Sequence, residues 1–412
     1  MRADKVKLTP LYLLVLFVIC LWQQGLADNE LNTKREALKF HINTYYAEQL
    51  THPQKKDRKC FCQFGYGMYL FNAPLFTITG FVEPDKYGKH SYGQPSLNEN
   101  NGTMYTCKGG FVDMSHLRAA VDWTVYLTFK MVTEGKDMDL SDSGAKMDVK
   151  FRRLQDLNMR DMASLAQKIA YERLVWHEVA SWHYHQPNHT FNEQQSAFSP
   201  EDIYSDFLGT EIGKNIALRI LNEYETRPFE EIASEEIQST LFGLMPLKKK
   251  EGSMKAYDIV DANVQAKLPE AERNQDVWWD SKVAFADQRY VFKRYTEIGP
   301  KLEPWLVPND NSIGCPAKKK STALYVPTKA HNGKTLYNYY TFSIVPDSTL
   351  FYAKHSHKQL HPPFKAFNTQ QMRDVVAFVS KGMEEELMPG FNKRNLQNPE
   401  PKFKRLKKIV FK

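Results

Sequence analysis

The stretch RRLQDLNMRDMASLAQKIAYERLVWHEVASWHYH, residues 152–185, reads as one long helix. Ala170, Leu174, His177, Ser181 and Tyr184 recur at steps of four, three, four and three, the spacing of one helical face. Two neighbouring segments carry the same period. DMSHLRAAVDWTVYLTFKMV, residues 113–132, places Ala120, Trp123, Leu127 and Met131 on one stripe and Leu117, Val121 and Val125 on another. SPEDIYSDFLGTEIGKNIALRILNEY, residues 199–224, opens with helix-start signals. Ser199 is a good N-cap, Pro200 suits the first helical position, and Glu201 and Asp202 complement the helix dipole. Residues 113–225 are therefore expected to form a three-helix core.

The flanks read differently. Residues 32–50 suggest a first helix or a mixed lead-in. Residues 51–110 are rich in Gly, Pro, Asn and Tyr and contain short apolar runs such as MYLFNAPLFTITGFV, the pattern of loops and strands, ending at Gly109-Gly110. Residues 226–300 mix helical and loop patterns. STALYVPT (321–328) and LYNYYTFSIV (336–345) read as strands joined by a turn at HNGK (331–334). TQQMRDVVAFVSKGMEEEL (369–387) reads as an amphipathic helix with Met372, Val375, Val376, Val379, Met383 and Leu387 on its apolar side. The fold class is α+β, with a helix-dominated central core and short strands in the N-terminal and C-terminal thirds. PLKKKEG (246–252) is the best candidate for a linker, but residues 28–400 are expected to form a single globular domain.

The ends of the chain point to export. Arg2, Lys5 and Lys7 precede the apolar run LYLLVLFVICLW, and Gly25-Leu26-Ala27 supplies small residues for a signal peptidase. The run is shorter than the roughly 20 residues a spanning helix needs, so residues 1–27 are expected to be a cleaved signal peptide. Cleavage removes three basic residues and one acid from a net charge of +7 and leaves +5. That mild excess over so long a chain gives no reason to expect a nucleic-acid partner. The tail PKFKRLKKIVFK, residues 401–412, carries six basic and five apolar residues. It is either a solvated tail or a peripheral contact with anionic lipid. Hydrophobic residues at 42% and charged residues at 25% suffice for a core and exclude global disorder.

Cys60, Cys62, Cys107 and Cys315 remain after signal removal. An even count in an exported chain suggests disulfides. Cys60 and Cys62 are too close in sequence to pair with each other comfortably, so the expected bond joins one of them to Cys107. A Cys-x-Cys metal site is the rival.

The chemistry-bearing residues cluster at WHEVASWHYH, residues 176–185. His177-Glu178 begins the zinc-protease pattern, but Ser181 stands where that pattern needs its second histidine. His183 is six residues on and falls on another side of the helix. His185, seven residues from Glu178, matches it better if the helix lasts that long. Asp113 and His116, three apart, are neighbours on one face of the preceding helix. Packed side by side, the two helices would bring together Asp113, His116, His177 and Glu178. Glu178 is then the expected general acid/base. His116 and His177 are expected as metal ligands or proton relays, and Asp113 as the group that orients His116. Two mechanisms fit this set: a divalent metal such as zinc that activates water, or metal-free chemistry with Glu178 as general acid or base and a histidine tuning it. The bland alternatives are that Asp113 is only an N-cap and the histidines only core or surface groups. This enzyme reading requires the side chains of His116, His177 and Glu178 within about 5 Å of a common point in an open pocket. No Gly-x-Ser-x-Gly elbow, phosphate loop, dinucleotide fingerprint or calcium loop is present.

RKCFCQFGYG, NGTMYTCKGGFVDMSHLRAAVDWTVYL, IAYERLVWHEVASWHYH and SAFSPEDIYSDFLGTEIG together resemble an uncharacterised family of exported bacterial proteins, the domain of unknown function DUF4056. The resemblance is clear over residues 55–225. The family typically has two adjacent cysteines where this chain has Cys60-Phe61-Cys62. It implies a bacterial envelope or periplasmic location and assigns no catalytic residue. Two functions follow as expectations. One is an envelope hydrolase acting on a polymer, peptide or lipid. The other is a non-catalytic binding or structural envelope protein anchored by its basic tail.

Overall fold

A computed structural model describes residues 33–53, 80–93, 96, 98–141, 144–183, 197–199, 201–265, 296, 298–308, 310–346 and 366–387. The signal-like segment, the basic tail, Cys60, Cys62, His185 and His189 lie outside them.

Three long helices form the centre: α2 (Met114–Thr133), α3 (Met159–His183) and α4 (Asp202–Glu223). Each packs on the other two. The stripes on α2 bury completely, including Leu117, Val121, Trp123, Leu127 and Phe129. Each such large side chain contributes roughly 1.5–3 kcal/mol by leaving water. Thr124 and Thr128 also face inward, and each hydroxyl donates to the carbonyl four residues earlier, so neither is left unpaired. Helix α1 (33–45) precedes this core. Its continuation seats Tyr46, whose hydroxyl donates to the carbonyls of Glu225 and Arg227.

Strands β1 (Thr103–Thr106) and β2 (Gly110–Asp113) form an antiparallel hairpin that leads straight into α2. Gly110 at its turn has φ +69°, and a Cβ there would stand 2.1 Å from the Trp305 carbonyl oxygen, so only glycine fits. After α4 come α5 (Phe229–Gly243) and α6 (Lys250–Gln265). The stretch 246–252 is not a linker. Pro246 bridges Thr106, and the Leu247 N–H donates to the Tyr105 carbonyl at 3.0 Å.

The larger sheet has the order β3-β4-β7-β8, all antiparallel, from β3 (Met138–Asp139), β4 (Ala145–Phe151), β7 (Tyr340–Pro346) and β8 (Phe367–Asn368). Strand β7 alternates buried Tyr340, Phe342 and Ile344 with more exposed partners, the mark of one face on a core. The expected turn at 331–334 exists, with Gly333 at φ +77°, but it closes only an isolated antiparallel bridge, Lys329 to Thr335, and the two strands it joins do not pair with each other. Strand β6 (Leu324–Tyr325) pairs with β5 (Lys301–Leu302), while β7 joins β4 from 190 residues away in the chain. Burial decided this, because β7 needs a partner that also presents an apolar face, and β4 supplies Met147 and Val149.

Helix α7 (Met372–Leu387) buries Met372, Val375, Val376 and Val379 against the rest, with Asn368 and Gln371 forming a capping box just before it. The architecture is α+β and helix-dominated. The disulfide departs from expectation. Cys107 pairs with Cys315, 208 residues on, with Cα atoms 5.4 Å apart. It closes a small second core made with Tyr105, Phe111, Tyr257 and Val307. No helix among the described residues is long and apolar enough to cross a membrane.

Candidate functional site

The site is built where α2 begins. Asp113, the last residue of β2, keeps an extended backbone, and its carboxylate accepts from the N–H groups of Ser115 (2.7 Å) and His116 (3.2 Å). This cap fixes the first turn of α2 and so the departure point of the His116 side chain. The Asp113 N–H donates in turn to Ser205 Oγ on α4 at 3.0 Å. Two glycines let α4 come close enough. A Cβ on Gly209 would stand 2.1 Å from the Leu117 carbonyl oxygen, and one on Gly213 would stand 2.8 Å from that of Val121. Asp206, three residues before Gly209, therefore reaches the His116 ring.

His116 Nδ1 lies 3.0 Å from Asp206 Oδ1, and Nε2 lies 3.7 Å from Asp202 Oδ1. Glu178 enters from α3. One donor atom from each of His116, Glu178 and Asp206 lies within 4.8 Å of the others, and all three residues are buried. Glu178 Oε2 accepts the Phe198 N–H at 2.6 Å. Asp202 Oδ2 accepts both the N–H and the hydroxyl of Ser199, at 3.0 and 2.8 Å. The other oxygens, Asp202 Oδ1 and Asp206 Oδ2, are buried and make no hydrogen bond among the described residues.

The electrostatics follow from this crowding. Burial raises the pKa of Glu178 well above its ordinary value, and the neighbouring Asp202 adds to the effect. Asp202 is pushed up to about 6, chiefly by burial. Asp113 is raised for the same reason. Burial works against a charged His116, but Asp206 and Asp202 outweigh it and hold its pKa well above the usual value. Four carboxyl groups thus surround one imidazole, and protons supply the positive charge that the protein itself lacks here. A divalent cation would supply it instead. The donor set of one imidazole nitrogen and several carboxylate oxygens suits zinc or a harder divalent ion.

Of the residues expected from sequence, His116 and Glu178 converge. His177 is exposed, and its ring centroid lies 6.1 Å from that of His116. The carboxylate on the His116 ring is Asp206, while that of Asp113 holds backbone N–H groups. Ser181 is buried on α3. Ser199 stands three residues ahead of the first residue of α4 and ties down Asp202 rather than the helix N-terminus. Asp202 and Asp206 were missed as site residues. Their four-residue spacing, with Gly209 three residues further, was the available signal for a carboxylate pair on a closely packed helix face.

No curated protein and no solved structure matches the chain significantly. A family profile described as a protein of unknown function (DUF4056) matches residues 47–308, a span that includes the whole β1–β2 hairpin, α2, α3 and α4 and hence every residue of the site. The chain therefore belongs to the DUF4056 family.

Proposed function

We propose that this protein is an exported bacterial envelope hydrolase whose buried His/Glu/Asp centre binds a divalent metal such as zinc. One observation carries the reading: a single imidazole is buried among carboxylates, two of whose oxygens, Asp202 Oδ1 and Asp206 Oδ2, make no hydrogen bond among the described residues. Burying so much acidic character is costly unless a cation joins it. A bound divalent ion supplies Lewis acidity and a water that ionises near neutral pH. Around it, Glu178 is the general acid/base, held in place by the Phe198 N–H. His177, exposed and in ring contact with His116, is the proton relay toward solvent. Asp113 sets the position of His116 through the backbone of α2 rather than through the ring.

The signal-like N-terminus, the Cys107–Cys315 disulfide and the family resemblance support an envelope or periplasmic location. The substrate class is an envelope polymer, peptide or lipid. The basic tail is the candidate contact with an anionic membrane surface.

Elemental analysis of the purified mature chain, beside the His116→Ala variant, tests this reading. Near-stoichiometric metal in the wild type, lost in the variant, is expected, together with chelator-sensitive hydrolysis of envelope preparations. A wild type that neither carries nor takes up a divalent metal would retire the metal-assisted mechanism.

A further inference from the structure

The helical core has a second end. Glu178 and Asp202 lie where α3 finishes and α4 starts, while Met159 and Asn222 lie where α3 starts and α4 finishes. At about 1.5 Å per residue, Met159 and Glu178 stand about 28 Å apart along α3. A cleft of about 260 Å³ opens at this far end, lined by Lys34, Arg35, Asn158, Met159, Arg160 and Asn222. Its lining holds three cations and no acid.

The three cations are unbalanced. The acids near them in sequence are engaged elsewhere: Glu36 with Lys39, Asp156 with Arg153, Asp161 with His331 and Glu223 with Arg219. Lys34, Arg35 and Arg160 make no ion pair among the described residues. Like charges gathered without a counter-charge repel, so packing alone has no electrostatic reason to collect them. Arg35 is the fixed member. Its Nη2 donates to the carbonyls of Leu154 at 3.0 Å and Leu157 at 3.3 Å, just before α3. Its Nε is buried and makes no hydrogen bond among the described residues. Burial lowers the Arg35 pKa, and no carboxylate among those residues offsets it.

Neutral donors suit the same ligand. Asn158 Oδ1 caps α3 by accepting the Asp161 N–H at 2.8 Å, which leaves the Asn158 NH2 group as a donor. The Met162 N–H donates to the Asn158 carbonyl, so the Met159 and Arg160 N–H groups precede the intrahelical bonds of α3. The helix ends by themselves decide nothing, because the first turn of α3 favours an anion and the last turn of α4 disfavours one. The side chains decide. Three cations match more than one negative charge, and donors arriving from three segments match several acceptor oxygens spread in space. A phosphate group supplies both, whereas a carboxylate has a single charge and two oxygens in one plane.

We infer that this cleft binds a phosphate group, with Arg35 as the fixed anchor and Lys34 and Arg160 closing on it from the surface. The site is independent of the metal-centre reading. Free phosphate and a phospholipid headgroup share the chemistry, and the test separates them.

Calorimetric titration of the metal-free full-length mature protein with inorganic phosphate tests the site, since removing metal keeps phosphate from binding at His116 instead. Saturable one-to-one binding is expected, weakening as salt rises. The double variant Lys34→Gln, Arg160→Gln changes only exposed side chains and is expected to weaken binding at least about 10-fold. Arg35→Gln is expected to do the same, and the double variant carries the test if loss of the Leu154 and Leu157 contacts unfolds it. Flotation with vesicles of phosphatidylcholine containing phosphatidic acid identifies the source, with the basic tail common to both proteins compared. Greater capture of the wild type than of the double variant assigns a lipid headgroup. Equal capture, with phosphate affinity lost in the double variant, assigns free phosphate. Wild-type phosphate affinity in the double variant overturns the site, as does a wild type that binds no phosphate and is captured no better than the double variant.

Discussion

Two buried histidines of this protein meet carboxylates in opposite ways. His90 is fully buried, with Nε2 2.9 Å from Asp122 Oδ1. The other oxygen of Asp122 accepts the Gly93 N–H. Nearby Glu99 accepts the Ser91 N–H and pairs with Arg118, whose guanidinium also donates to the Tyr87 and Gly88 carbonyls. Two acids there meet one arginine and one histidine, and the network pins residues 87–93 and Glu99 to α2. At His116 four acids meet one histidine, and among the described residues the charges that shift it most are all carboxylates. The first cluster is balanced in charge, as a structural clamp must be. The second is short of positive charge and keeps acceptors in reserve, which is how a cation site differs from a clamp.

Breaking the clamp has the largest expected effect. Arg118→Met leaves Glu99 buried without its cation and should cost about 3–5 kcal/mol in denaturant unfolding. Added divalent metal should not restore it. A loss well under 1 kcal/mol would show that the two clusters are not different in kind.

Next comes the helix crossing that assembles the site. Gly209→Ala puts a Cβ against the Leu117 carbonyl and should cost about 1–3 kcal/mol as overpacking. It should also weaken metal binding, because Asp206 rides on the same turn of α4. Lost stability with metal affinity unchanged would separate the site from the crossing.

The pH dependence sharpens the contrast further. Asp113, Glu178, Asp202 and His116 all hold protons more tightly in the folded protein than in the unfolded chain. Each therefore stabilises the fold at low pH, and that contribution fades as pH rises through the folded-state value. The chelated protein should melt at progressively lower temperature as pH rises from about 4 through about 6, the range set by Asp202. Asp202→Asn should flatten the slope, and saturating metal should reverse it. A chelated protein whose melting temperature rises across that range would contradict the charge-deficient picture.

The smallest effect is expected at His177. Its exposed ring touches His116 from outside the buried cluster, so His177→Ala should leave stability and metal affinity close to wild type. Loss of metal in this variant would enlarge the ligand set to include it.

Periodicity made the central helices legible, because stripes such as Leu117, Val121 and Val125 follow the helical repeat whatever the partner. His116 and Glu178 were legible too, as polar residues on otherwise apolar faces. Asp202 was not, because a carboxylate in the first turn of a helix is already explained by the dipole, and nothing local distinguishes that use from a place beside His116. The disulfide partner of Cys107 and the pairing of β7 with β4 are contacts between distant segments, where sequence spacing carries no distance information.

By itself, then, the sequence determined the helical core, the α+β class, the family and two members, His116 and Glu178, of the buried His/carboxylate cluster. These depend on local period, local capping and wording shared across a family. Only the tertiary structure decided which carboxylates face His116, since Asp206 and Asp202 reach it through a glycine-lined crossing of α2 and α4. A side chain's chemistry is set by the neighbours that packing brings to it, and here they come from some 90 residues away in the chain.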